Sequence, residues 1–330
     1  MKVIQISDTG GPEVLKCIDL PIPKPKEHQV LIKTDSIGVS MPEIMVRKGI
    51  YAWMPPMPAI PGIEMSGRVI EVGSKVTTLA VGDPVFVSAR ELDVRGGCYA
   101  EYLCVDANAP YQLLPDTNLE YAACLSNYQV AWHLLNSATR GFRYDSILVW
   151  AASGGVGTAI IQLAKLANKT VIAIAGGENK CKFVKSLGAD ECINYHQEDV
   201  VEKVNELTQS RLVDLVLDCV GGKDFYKNFK CISPLGLVVS YGQLLGRPDH
   251  GYAKILEENF GQSPGLRFFS MHSFDHRADL RRAAMDELVP LISQSKITPV
   301  IAHRIALADV QMAHQLFESK QVLGKIILKP

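Results

Sequence analysis

Apolar and polar positions alternate over short stretches in the first third of the chain and take on a longer rhythm from about Leu119. The early stretches are brief, His28-Gln29-Val30-Leu31-Ile32-Lys33-Thr34 among them, and most of the 18 prolines lie before residue 116. Proline is kept out of central strands but fits edges and turns, so this part reads as strands joined by many turns. Ser66 to Val72, Pro84 to Val87 and Cys98 to Val105 are further strands, bounded by Gly73, Gly82-Asp83 and Gly96-Gly97. One short helix fits Pro42 to Gly49, with proline early and glycine at its end.

From Leu119 onward, short apolar runs alternate with helical patterns. Ser146-Ile147-Leu148-Val149 meets the glycine-rich turn Trp150 to Gly157, and apolar residues then recur at helical spacing through Ile160, Leu163, Ala164 and Ala167. Thr170 to Ala175, Glu191 to Asn194, Val213 to Cys219, Leu237 to Tyr241 and Leu266 to Met271 read as strands. Helices are expected over Lys180 to Leu187 and Glu198 to Gln209. Such alternation means crossover units and a doubly wound parallel sheet. The segment 244–265 reads as a loop with a short helix near Tyr252 to Asn259. The end returns to the first texture: a helix from about Arg277 to Ser293, an extended piece Ile297 to Ile305, a helix Asp309 to Lys320, and a closing strand Lys325 to Leu328. The fold class is α/β, with a β-rich domain at 1–120 and 285–330 and a nucleotide-binding domain at 121–284. No internal repeat and no low-complexity segment is present.

At 330 residues the chain can bury a sizeable core. Its net charge of −1 offers no electrostatic case for nucleic acid or an anionic membrane. The start, Met-Lys-Val-Ile-Gln-Ile-Ser-Asp, is too polar for a signal peptide, and no run is long enough to span a bilayer. The eight cysteines (17, 98, 104, 124, 181, 192, 219 and 231) include no Cys-x-x-Cys pair. That distribution predicts reduced, mostly buried thiols in a cytoplasmic protein rather than disulfides or a zinc cluster.

The glycine turn carries the first chemistry. Ala152, Gly154 and Gly157 stand at the three positions of the dinucleotide fingerprint, between strand and helix. Gly154 lets backbone approach a pyrophosphate, Gly157 lets the helix pack close, and the helix N-terminus faces the anion. The next strand ends Ile174-Ala175-Gly176-Gly177, without the carboxylate that would accept ribose hydroxyls and repel a 2′-phosphate. Lys180 follows one turn later and can pair with that phosphate. NADPH is the expected cofactor.

Motifs along the whole chain resemble the medium-chain dehydrogenase/reductase superfamily, and most of all its zinc-independent quinone oxidoreductase branch. They are Gly10-Gly11-Pro12-Glu13-Val14-Leu15, Pro61 to Gly67, Val81-Gly82-Asp83-Pro84-Val85, Gly97 to Tyr102, Ala151 to Gly157, Leu187-Gly188-Ala189-Asp190, Ile193-Asn194-Tyr195 and Gly324 to Leu328. The resemblance implies a GroES-like substrate domain beside a Rossmann NADP-binding domain. It implies a pyrophosphate turn at Ser153, Gly154, Gly155 and Val156, and a 2′-phosphate site at Gly176, Lys180 and Tyr195. It places Tyr241 and Phe269 on loops near the nicotinamide. Homodimers or homotetramers are implied as well.

Zinc members of that superfamily carry a cysteine where this chain has Ser40 and a histidine where it has Ile63; a third ligand position aligns near Ser126. Serine and isoleucine cannot supply a thiolate and an imidazole, so a metal-free enzyme is expected. Without a Lewis acid, the acceptors left are electron-poor conjugated carbonyls: quinones, enones, enals and enoyl thioesters. Tyr51 stands where related enoyl-thioester reductases have a proposed proton donor, and it is the candidate catalytic residue. Ser40, Glu43 and Met45 replace the Asn, Asp and Tyr frequent in quinone reductases of the branch. An enoyl-thioester reductase and an NADPH-binding protein with little turnover are the alternatives. His272 and His276 read as surface residues with no third metal ligand, and Cys219 as the end of a buried strand rather than a nucleophile.

Overall fold

The computed structural model describes residues 1–247 and 252–330. The chain divides into two compact units, one of Met1–Ser126 with Ala278–Pro330 and one of Asn127–Arg277.

The first unit opens with β1 (Lys2–Gln5) and β2 (Lys16–Asp19), paired antiparallel. β3 (Gln29–Val39) is the long central strand, followed by α1 (Met41–Arg47), β4 (Glu64–Val72), β5 (Pro84–Ser88), β6 (Tyr102–Asp106), β7 (Tyr111–Gln112) and α2 (Leu119–Ala122). Ser40 starts α1 with a capping box: its side chain and that of Glu43 each take a backbone N–H of the other end of the first turn.

The second unit takes in most of α3 (Leu125–Asn136), then β8 (Ser146–Val149), α4 (Gly155–Leu166), β9 (Thr170–Ala175), α5 (Glu178–Ser186), β10 (Glu191–Asn194), α6 (Val200–Leu207), β11 (Val213–Asp218), β12 (Ile232–Ser240), α7 (Tyr252–Glu258) and β13 (Gly265–Phe268). Its strands lie in the order β10-β9-β8-β11-β12-β13, each pair parallel. A sheet covered on both faces buries nearly every strand residue; hence the apolar runs Ile147 to Val149, Val171 to Ala175 and Leu215 to Leu217 within β8, β9 and β11, and a core of Leu148, Ile172, Ile174, Ile193, Val216 and Val238. The strand order reverses between β8 and β11, the place where such sheets take ligands beyond their carboxyl ends. This is a Rossmann-type doubly wound unit.

The chain then returns to the first unit with α8 (Ala278–Ser293), β14 (Ile301–Ala306), α9 (Val310–Glu318) and β15 (Lys325–Lys329). β15 lies antiparallel to β3, pairing Ile326 with Val39 and Leu328 with Ile37, so the tail closes a seven-stranded sheet of GroES-like type.

Several expectations need correction. Cys98 to Glu101 is not part of a continuous strand; only Tyr102–Asp106 is. The N–H groups of Cys98 and Tyr99 go instead to the carbonyls of Gly62 and Pro61, at 3.2 and 3.0 Å. Of the stretch Ile297 to Ile305 only the part from Ile301, after Pro299, is strand, and β12 starts five residues earlier than expected, at Ile232. Residues 248–251 of the unassigned 244–265 segment lie outside the described residues; the helix near Tyr252 is α7. The thiols are not all reduced, because Cys181 and Cys192 form a disulfide. Nor are the remaining six mostly buried: Cys98, Cys124 and Cys231 are, but Cys17 is exposed and Cys104 and Cys219 are intermediate. His272 is not a surface residue, since it is half-buried and its Nδ1 lies 2.9 Å from Asp275.

Candidate functional site

The turn after β8 is built for close approach. Ala151 sits at φ +51°, and its carbonyl accepts the N–H of Gly154 at 3.1 Å. A Cβ on Gly157 would stand 2.6 Å from the Ala151 oxygen and from the Cα and oxygen of Ala152, all backbone. Only glycine lets α4 start this close to β8. Gly154 caps α4 in extended conformation, so the amides of Gly155 and Val156 sit in the first turn, where no intrahelical carbonyl reaches them. With buried Ser153 beside them, these groups form a cradle that suits a pyrophosphate.

A second cluster forms at the ends of β9 and β10. Gly177, at φ +95°, caps α5, and its N–H donates to Asn194 Oδ1 at 2.8 Å. A Cβ on Gly176 would lie 2.8 Å from the Tyr195 hydroxyl and 2.9 Å from the His196 ring. Tyr195 and His196 therefore fold over Gly176, their rings edge to face at 4.5 Å, while half of Tyr195 stays exposed. Lys180 is in the first turn of α5. Tyr241 and Phe269 follow β12 and β13 directly, their N–H groups donating to Asp218 O and Ser240 O at 2.8 Å. Burial pushes the Tyr241 phenol well above its usual pKa. The same cause pushes the Cys219 thiol up to about 12, the direction that disfavours a reactive thiolate.

In the first unit, Tyr51 is 9% exposed, with its ring 5.7 Å from that of Trp53. The positions that the resemblance sets against zinc ligands are engaged in other contacts. The Ser40 hydroxyl donates to Glu64 Oε1 at 3.1 Å and accepts from Lys325 Nζ at 2.5 Å. Lys325 also pairs with Glu64 Oε1, and both side chains are buried. The other Glu64 oxygen accepts the Ser126 N–H at 3.1 Å. Ile63 offers its backbone N–H to Glu43 Oε1 at 3.0 Å. Burial raises the Glu43 pKa to about 8, against the pull of Lys325 and the Ile63 N–H. Among the described residues no cluster of three or more His, Cys, Asp or Glu is placed to hold a metal.

Comparison with known proteins agrees with this construction. Residues 26–116 match the alcohol dehydrogenase GroES-like domain model, and residues 187–328 match a model described as zinc-binding dehydrogenase. The quinone oxidoreductase of Pseudomonas aeruginosa is 32% identical over 334 residues, covering 100% of this chain and 99% of the relative. The chain belongs to the quinone oxidoreductase family. The human quinone oxidoreductase is 30% identical, over 99% of this chain and 97% of its own length. The structure of Escherichia coli quinone oxidoreductase complexed with NADPH superposes with a TM-score of 0.89 at 28% identity, covering all of both chains.

Within this family member, one network escaped the sequence reading. Asp218, at the end of β11, accepts the N–H groups of Val220 and Gly221 and the Asn228 amide, and Asn228 in turn accepts the Trp150 indole N–H at 2.7 Å. It fixes the loop after β11 beside the glycine turn after β8, on either side of the strand-order reversal. The readable signal was the acid at the end of an apolar strand, followed by Gly221-Gly222, both at positive φ.

Proposed function

We propose that this chain is an NADPH-dependent oxidoreductase that reduces a quinone or an α,β-unsaturated carbonyl without zinc. The observation that carries the reading is the second cluster: Gly176 follows β9 with no carboxylate at the strand's end, while Tyr195 lies over it and Lys180 follows on α5. Two similar proteins of known structure, the Escherichia coli quinone oxidoreductase and a mycobacterial protein, are described as complexed with NADPH. NADPH, when bound, supplies the hydride. The chain's part is to hold pyrophosphate on the amides of Gly154, Gly155 and Val156, and the 2′-phosphate on Lys180 and Tyr195. Tyr241 and Phe269 would flank the nicotinamide. The zinc-independent reading is supported by the ligand positions: Ser40 already meets an ammonium, and Ile63 has no donor atom in its side chain. A homodimer or homotetramer in the cytoplasm completes the proposal.

A second reading, an enoyl-thioester reductase, is favoured by Tyr51, which carries a hydrogen-bond donor within the apolar cluster of the first unit. Tyr51→Phe would then remove most activity on crotonyl thioesters and spare quinones. NADPH oxidation against quinones, enals and enoyl thioesters, with and without chelator, tests all of this. Lys180→Ala should weaken NADPH about tenfold and leave NADH unchanged. Activity lost to chelator refutes the metal-free mechanism; equal use of NADH refutes the nucleotide assignment; no turnover on any acceptor leaves an NADPH-binding protein.

A further inference from the structure

Cys181 and Cys192 belong to α5, which starts just after Gly176, and to β10, which leads into the Tyr195 that lies over Gly176. Cys181 follows Lys180 on α5, and Cys192 lies on β10, three residues before Tyr195. Their sulfurs are joined across a separation of 11 residues, with Cα atoms 5.4 Å apart. Both residues are half-buried, so a small thiol can reach them from solvent. Lys180, Lys182 and Lys185 stand on the same helix, Lys185 paired with Glu191.

We propose that Cys181–Cys192 is a thiol–disulfide exchange site whose redox state sets the affinity of this unit for the adenosine 2′-phosphate; the proposal rests on the NADPH reading above. Lys180 and Tyr195 come from different elements, and a phosphate bound between them benefits from having both held in place beforehand. The disulfide is the covalent tie between those elements. Beside it stand the Gly177–Asn194 hydrogen bond and the Lys185–Glu191 ion pair, whose side chains are 47% and 44% exposed and which therefore holds α5 weakly. The co-reactant is a low-molecular-weight thiol. Its thiolate attacks one sulfur, giving a mixed disulfide and freeing the other cysteine. A second thiol then displaces the first as a small disulfide, leaving two protein thiols that have gained two electrons and two protons.

The test equilibrates the whole chain against reduced and oxidised glutathione, counts free thiols by alkylation and mass, and measures Kd for NADPH and NADH in each state. Opening the bond should weaken NADPH at least about fivefold and change NADH by less than about twofold. By reciprocity, saturating NADPH should shift the glutathione ratio at half-reduction by the same factor. Cys181→Ser and Cys192→Ser should hold the chain in the weaker state, insensitive to glutathione. Cysteines 181 and 192 that both alkylate in oxidised buffer overturn the proposal. So does an NADPH preference that survives reduction unchanged, which leaves the nucleotide reading standing. An oxidised protein that binds NADPH no better than NADH overturns both.

Discussion

Replacing Lys325 by methionine probes the ion pair in the first unit. Glu64 is 0% exposed and Lys325 4% exposed, so the substitution leaves a carboxylate inside the protein without its ammonium. Removing one partner of a buried pair costs about 3–5 kcal/mol, chiefly because the charge left behind is unpaired. Glu64 keeps the Ser40 hydroxyl and the Ser126 N–H, both at 3.1 Å, which places the expected cost toward the lower end, about 3 kcal/mol. In a unit of about 180 residues, each kcal/mol moves Tm by roughly 2–4 °C, so a fall of about 6–12 °C is expected. Adding Glu64→Gln removes the stranded charge, and the double variant should regain at least about 2 kcal/mol over Lys325→Met alone. Thermal and urea unfolding of the wild type, both single variants and the double variant measure this. A Lys325→Met cost below about 1 kcal/mol, or strict additivity in the double variant, would refute the reasoning.

Glu43 makes stability depend on pH. Its folded pKa of about 8 lies above its ordinary value of 4.5, so the unfolded chain releases this proton first. The contribution is complete below pH 4.5 and is lost as pH rises to about 8, by an amount of order 5 kcal/mol; Glu43→Gln should flatten that fall in a series of urea unfolding curves. Gly157→Ala puts a methyl against three backbone atoms at 2.6 Å, which should cost about 1–3 kcal/mol and weaken NADPH in a fluorescence titration; an unchanged Kd would show that the turn is not the cradle. Opening Cys181–Cys192 frees an 11-residue separation in the unfolded chain, which loop-closure entropy values at about 2.8 kcal/mol. Calorimetry with and without dithiothreitol should show the loss in the second unit, and equal transitions would contradict it.

The legible part of the fold is the part whose burial is local in sequence. β9 and β10 run over the residues expected, Thr170–Ala175 and Glu191–Asn194: β9 because a strand covered on both faces is apolar almost throughout, and β10 because Gly188, at positive φ, stops α5 just ahead of it. Cys98 to Glu101 looked the same by composition, yet their backbone partners come from Pro61 and Gly62 in a distant loop, and no periodicity reports that. Long-range polar pairs were hidden for the same reason: Arg281 with Glu91, 190 residues apart, and the Tyr99 hydroxyl with His314 Nε2 at 3.1 Å. Burial and nearby Arg47 push His314 down to about 3, a property of packing rather than of the residues around it in sequence. The disulfide was missed because spacing rules look for Cys-x-x-Cys, whereas a helix returning to an adjacent strand brings residues 11 apart together.

The candidate site shows where motif reading stops. The resemblance sets Ser40 and Ile63 against two zinc-ligand positions and makes Gly324 to Leu328 a familiar tail, but nothing in either stretch says that they meet. They meet because β15 pairs with β3, setting Ile326 opposite Val39 and Ile327 opposite Gly38. That register brings Lys325 to Ser40 and Glu64 across 285 and 261 residues. Once there, the ammonium uses the serine oxygen and one carboxylate oxygen, while the Ser126 N–H uses the other. A second cation entering at Ser40 would face the first at close range, with Glu64 already neutralised. The missing thiolate and imidazole and the resident lysine therefore argue in the same direction from independent facts, one written in two residues and the other only in the pairing of two strands.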